Sequence, residues 1–153
     1  MDLTEEITNH FSAGARAVWI VSHEEERVLE EIREVWSPQK HYRWSSARSL
    51  YDPKTGQMLS DLMLGFAGIF QVLKQEPALL ILFDAHHTLA SGPETARNVR
   101  ALREYLHGDF GSVILISSSP DFAPELSKLI FKLDFRLPTE AELHKQVVSR
   151  VRE

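Results

Sequence analysis

The groups best able to do chemistry follow three apolar runs. Asp84, His86 and His87 come after Leu79 to Phe83, His23 follows Ala17 to Val21, and Ser117, Ser118 and Ser119 close Val113 to Ile116. Imidazole and carboxylate together suit zinc or iron. Successive side chains of an extended segment point in opposite directions, so His86 and His87 are not expected to share one ion. The expectation is no metal site, with Asp84 capping its loop and the histidines as polar loop residues. A Ser117 nucleophile would need a glycine-flanked elbow of the G-x-S-x-G kind. The run ISSSPDF has no glycine, so acyl transfer is not expected. The chain has no cysteine, which removes thiol catalysis, thiolate zinc sites and disulfides. No catalytic residue is assigned.

These groups need elements to position them. Leu3, Ile7 and Phe11 recur at helical spacing, and Gly14 follows. They predict a short helix over 2–13. Continuous apolar runs at 17–21, 78–83 and 112–116 predict strands buried on both faces, as in a parallel sheet. A more polar strand is expected at 41–45 and an alternating one at 132–137. Ser22 and Glu25 have capping-box spacing ahead of a helix with Val28, Leu29, Ile32 and Val35 as its buried stripe, and Pro38 stops it. Residues 46–58 read as a loop with turns at Asp52-Pro53 and Thr55-Gly56. Helices are expected over about 60–74, after Gly92-Pro93 with Val99, Leu102 and Leu106 inward, and over 124–130. A last helix starts at Pro138 with Leu143, Val147 and Val151 as its stripe. Alternating strands and helices predict one α/β domain over 1–153, a three-layer α/β/α sandwich on a five-stranded, mostly parallel sheet.

Ligands of such sheets bind beyond the carboxyl ends of the strands. A nucleotide enzyme of this class carries G-x-x-x-x-G-K-[ST] after its first strand, so that backbone N–H groups and a lysine hold phosphates. Here the junction is VSHEEER, with no glycine, no lysine and three carboxylates. Those carboxylates would repel a triphosphate, and ATP hydrolysis by the standard route is not expected. LLILFD resembles a Walker B strand, whose Asp holds Mg²⁺. The carboxylate that often follows it is replaced by Ala85.

Taken in order, VWIVSHEEERVLEEI, LLILFDAHHTL and SVILISSSPDFAPELSKLIFKLDFRLPTEAEL resemble the N-terminal region of one group of AAA-family ATPases. This is the cyanobacterial and plastid-encoded group with a degenerate ATPase-like domain ahead of the working module. The matching segments are Ser22 to Leu29, Leu79 to Asp84, Val113 to Ser119, Pro124 to Leu126, and Asp134 to Leu143, and the likeness spans roughly residues 3 to 150. It implies a P-loop-type, AAA/RecA-like topology without the P-loop. The implied strand order is 132–137, 17–21, 112–116, 78–83, 41–45. It also implies a vestigial Walker B-like Asp84, sensor-like Ser117 and Ser118, and no cofactor. Arg27 would fold back into the emptied nucleotide site as a substitute cation. No Walker A or arginine finger of a working module is present, and the segment DPKTGQMLSD is peculiar to this chain. The chain therefore reads as an excised N-terminal domain or a free-standing relative.

The function expected is non-catalytic: protein–protein interaction or regulation of an AAA-type assembly, with a protein partner or AAA module. Trp36, Arg43, Trp44, Glu24 and Arg27 form the candidate interaction surface, because aromatics and Arg are enriched at interface centres. Glu24 and Arg27 have a plainer reading, as helix-start electrostatics with pairs such as Arg27–Glu31. Two alternatives stand: a nucleotide- or metal-dependent hydrolase using Asp84, and a nucleic-acid accessory protein using the basic stretch Lys40 to Arg48. A net charge of −5 opposes the latter. No apolar run approaches the roughly 18 residues that span a bilayer. The acidic start MDLTEEITNHF is neither a signal nor a transit peptide, so the cytoplasm is the expected location and no membrane partner is expected.

Overall fold

The computed structural model describes residues 2–45, 49–58, 65–75, 78–84, 86, 89, 94–108 and 110–135. Side chains of alternating residues along the central strands leave for opposite faces, and both faces are apolar. The result is a sheet with helices on each side.

The strands are β1 (Ala17–Val21), β2 (His41–Ser45), β3 (Ser49–Tyr51), β4 (Leu79–Phe83), β5 (Val113–Ser117) and β6 (Ile130–Asp134). They form one sheet in the order β3-β2-β4-β5-β1-β6. Every pairing is parallel except β2 with β3. The order of the five expected strands is the one the resemblance implied. The sixth strand corrects the expectation of a loop over 46–58. Leu50 and Tyr51 are buried, and β3 folds back on β2 with Trp44 opposite Leu50 and Arg43 opposite Tyr51. Three residues are too short a run to show alternation in sequence. The turn chemistry beyond it holds: Asp52 Oδ1 accepts from the Lys54 amide at 2.9 Å, and Gly56 takes φ +73°, which glycine adopts without penalty.

One face carries α4 (Gly65–Gln75) and α5 (Thr95–His107), whose Phe66, Ile69, Phe70, Val99, Leu102 and Tyr105 pack on Trp19, Trp44, Leu80, Leu82 and Leu115. The other carries α1 (Leu3–Ser12), α2 (Glu25–Glu31) and α3 (Arg33–Trp36), whose Leu3, Ile7, Val28 and Val35, with Ile32 between α2 and α3, pack on Val18, Ile20, Ile81, Ile114 and Ile116. Asp2 caps α1, its carboxylate accepting from the Glu5 amide at 2.8 Å. Gly14 turns the chain out at φ +99°.

Three further expectations are corrected. The helix after β1 comes in two pieces: the backbone of Ile32, at φ −100° and ψ 18°, leaves the helical basin and separates α2 from α3. The strand expected at 132–137 starts at Ile130, which is buried on the α4–α5 face, while Lys132 is exposed. The helix expected over 124–130 shrinks accordingly to the single 3-10 turn η1 (Pro124–Leu126). The readings of residues 59–64, Gly92-Pro93 and the helix from Pro138 lie outside the described residues. Among the described residues no helix is long and apolar enough to cross a membrane.

Candidate functional site

The carboxyl ends of β1, β4 and β5 converge, as the parallel order requires, and each end is finished differently. At the β5 end, Ser117 is 1% exposed. Its backbone carbonyl accepts from the Ser22 amide at 2.8 Å, and its hydroxyl oxygen accepts from the Ser119 amide at 3.1 Å. The same hydroxyl lies 2.6 Å from His86 Nδ1. The Trp19 indole N–H donates to the Ser119 carbonyl at 2.9 Å, with Phe122 tilted against the ring at 4.8 Å. Ser117 is therefore a buried hub that ties β1, β5 and His86 together.

The Ser22 amide is thus already committed to Ser117. A capping box needs that same N–H for the Glu25 carboxyl, so the box cannot close. Ser22 Oγ accepts instead from the Glu24 amide at 3.0 Å, α2 begins at Glu25, and no side chain caps it. Glu25 is left free to turn to Asp84.

Asp84 ends β4 in the left-handed region at φ +51°, a conformation that Asp tolerates better than most residues. It lines a cavity of about 290 Å³ together with Glu25, Glu26, Arg43, Ser45 and Tyr51. Burial, the adjacent Asp84 carboxylate and a hydrogen bond between the two side chains push Glu25 up to about 7. Two carboxyls held together favour the protonated form of one of them. Glu26, next to it, is exposed.

Arg27 does not pair with Glu31. It bonds Glu24 at 2.9 Å, the two side chains being 38% and 41% exposed, and its guanidinium lies 5.7 Å from the Phe135 ring centroid, just after β6. The cation therefore bridges the start of α2 to the segment just after β6.

The aromatic candidates part company. Trp36 is half-buried, donates to the Leu29 carbonyl at 2.8 Å, and carries the Arg43 guanidinium 5.2 Å from its ring centroid. Trp44 is 6% exposed and meets Phe66 edge-on at 5.2 Å. Placing Trp44 on a docking surface is thus corrected. Alternation along β2 sends Tyr42 and Trp44 into the α4–α5 core, while His41 and Arg43 face the side of α2 and α3. His41, 4% exposed, is tilted against Trp36 at 5.1 Å. Burial, with the Arg43 and Lys54 charges nearby, pulls it down to about 4. Of the basic stretch, Lys40 lies 5.3 Å from the Tyr42 ring, and Arg48 is outside the described residues.

The structure joins Asp84 to the α2 start and Ser117 to His86. It leaves Trp36 and Arg43 together at the side of β2. His23 is exposed, Ser118 is half-buried, and His87 lies outside the described residues. Among the described residues no group of three or more metal-ligating side chains is gathered. Sequence reasoning missed Glu25 as a site residue by reading it as a cap. The signal available was its place in the junction VSHEEER, four residues beyond the end of β1 at Val21.

No curated protein matches the chain. The family model of the SpoVK-like AAA ATPase N-terminal domain matches residues 3–135, which include the six described strands and both Glu25 and Asp84. The chain accordingly belongs to the family of N-terminal domains of SpoVK-like AAA ATPases.

Proposed function

We propose that the chain is a non-catalytic, degenerate ATPase-like domain that makes protein–protein or regulatory contacts within an AAA-type assembly. The observation that carries this reading is the Glu25–Asp84 pair. Glu25 opens the helix after β1, where a nucleotide-binding relative would aim backbone N–H groups at phosphate. Asp84 ends the strand whose carboxylate would hold Mg²⁺. Each carboxyl here faces the other. A triphosphate would meet Glu24, Glu25 and Glu26 instead of a glycine loop and a lysine. Arg27 supplies a cation at the same helix start, already engaged by Glu24. The narrower likeness to the cyanobacterial and plastid-type group, carried by HEEERVL and DFRLP, fits the same reading.

Thermal unfolding with and without millimolar Mg²⁺-ATP or Mg²⁺-ADP tests it. A ligand at about 100 times its Kd would add ~2.7 kcal/mol, worth several degrees in a domain of this size. The expected result is no shift. A shift of several degrees with either nucleotide would overturn the emptied-site reading. A shift with micromolar Zn²⁺ alone would favour a metal-dependent hydrolase built on Asp84.

A further inference from the structure

We infer that the groove between α5 and η1 docks an acidic segment of a protein partner, an inference that rests on the partner-binding reading above. The groove encloses about 540 Å³, on the sheet face opposite Glu25. Val99, 5% exposed, and the half-buried Ala123 give it an apolar floor. Arg100 and Arg103, both exposed, line it from α5. They stand one helical turn apart, about 4.5 Å along the axis. Neither guanidinium makes an ion pair among the described residues. Thr95 lines the groove as well, and its hydroxyl oxygen is buried with no hydrogen-bond partner.

The local charge runs against that of the whole molecule. Residues 95–107 hold Arg97, Arg100 and Arg103 against Glu104 alone, whereas the whole chain carries −5. Guanidinium forks bind carboxylates in a bidentate manner and tolerate an apolar neighbour better than ammonium does. Carboxylates of an incoming segment can therefore take Arg100 and Arg103, and its apolar side chains can cover Val99 and Ala123. Glu125 lines the groove from η1 and opposes the anion, which limits how much negative charge the groove accepts. That limit, with the overall −5, favours a peptide carrying a few carboxylates over a nucleic acid, which needs an extended basic surface.

The test is fluorescence anisotropy at low salt. The probe is a fluorescein-labelled peptide of glutamate, alanine and leucine, compared with its lysine-for-glutamate counterpart. The acidic peptide is expected to bind and the basic one to fail. Arg100→Glu with Arg103→Glu should weaken binding at least roughly tenfold, with the melting temperature little changed because both residues are exposed. Glu125→Gln should tighten binding about two- to threefold. Equal affinity in the charge-reversed variant, no binding of the acidic peptide, or tighter binding of a single-stranded oligonucleotide would each overturn the assignment. The two readings fail separately: nucleotide stabilisation with intact peptide binding would sink the non-catalytic reading and leave the groove standing.

Discussion

Two adjacent strand ends solve the same problem in opposite ways. At the end of β5, Ser117 is buried and its polar atoms meet the Ser22 and Ser119 amides and the His86 ring. At the end of β4, Asp84 sits in a left-handed backbone and faces a second carboxyl, Glu25. The bonds from the Ser22 and Ser119 amides to Ser117 involve no titratable group, so they hold at any ordinary pH. A carboxyl pair holds together only while one member keeps its proton, so its contribution changes with pH. A strand end shaped by stability alone would resemble β5. The β4 end instead sets two carboxyls against each other, which the proposed function reads as a closed nucleotide site.

That contrast can be tested from its foundation upward. The largest effect should come from Trp19→Ala, which removes a fully buried ring and the indole bond to Ser119 beneath the β5 end. A loss of about 3–5 kcal/mol is expected from the cavity, measured by urea unfolding. Trp19→Phe should recover most of it. Next is Ser117→Ala, which strands the Ser119 amide and the His86 ring nitrogen. A loss of about 1–3 kcal/mol, independent of pH above 7, would support the neutral hub, and a loss within a few tenths would remove it.

Glu25→Gln should act at the β4 end with a sign set by pH. The folded state holds the Glu25 proton up to about 7, whereas the ordinary value is 4.5. The folded state therefore binds more protons between those values, and stability falls as pH rises through that window. Its contribution is full below pH 4.5 and lost above 7. The glutamine cannot ionise, so the variant should gain about 1 kcal/mol over wild type at pH 8 and little at pH 5, after allowing for the solvent that reaches the pair. His41 contributes the opposite slope. It is held down to about 4 against an ordinary 6.5, so its stabilisation is present above 6.5 and fades as pH falls to 4. The smallest effect belongs to Arg27→Ala, whose pair with Glu24 is well exposed. A loss of about 0.2–1 kcal/mol is expected, which would make Arg27 a minor bridge to the segment after β6.

The fold was largely legible because the buried runs at Ala17, Leu79 and Val113 are long, apolar and bounded by polar junctions. Those features suffice for a parallel sheet. What escaped was set by partners far away in sequence. Leu50 and Tyr51 join the sheet only because Trp44 and Arg43 stand beside them. Trp44 looked like a surface residue in a polar stretch, yet the alternation of β2 carries it onto Phe66. Glu25 matched a local capping pattern, and the pattern fails because Ser117, 95 positions beyond Ser22, has already taken the Ser22 amide. At the site, Asp84 and Ser117 were legible as strand ends. The contact between Asp84 and Glu25 was not, because no local spacing records which junctions face one another.

The most direct measurement is the ionisation of Glu25 itself, followed by carbon NMR of its side-chain carboxyl from pH 3 to 9 in the wild type and in Asp84→Asn. The closed-site account expects a midpoint near 7 in the wild type. In the variant the midpoint should fall without reaching the ordinary value, because burial, the larger cause, remains. A wild-type midpoint at the ordinary glutamate value, unmoved by Asp84→Asn, would contradict the proposed closed site.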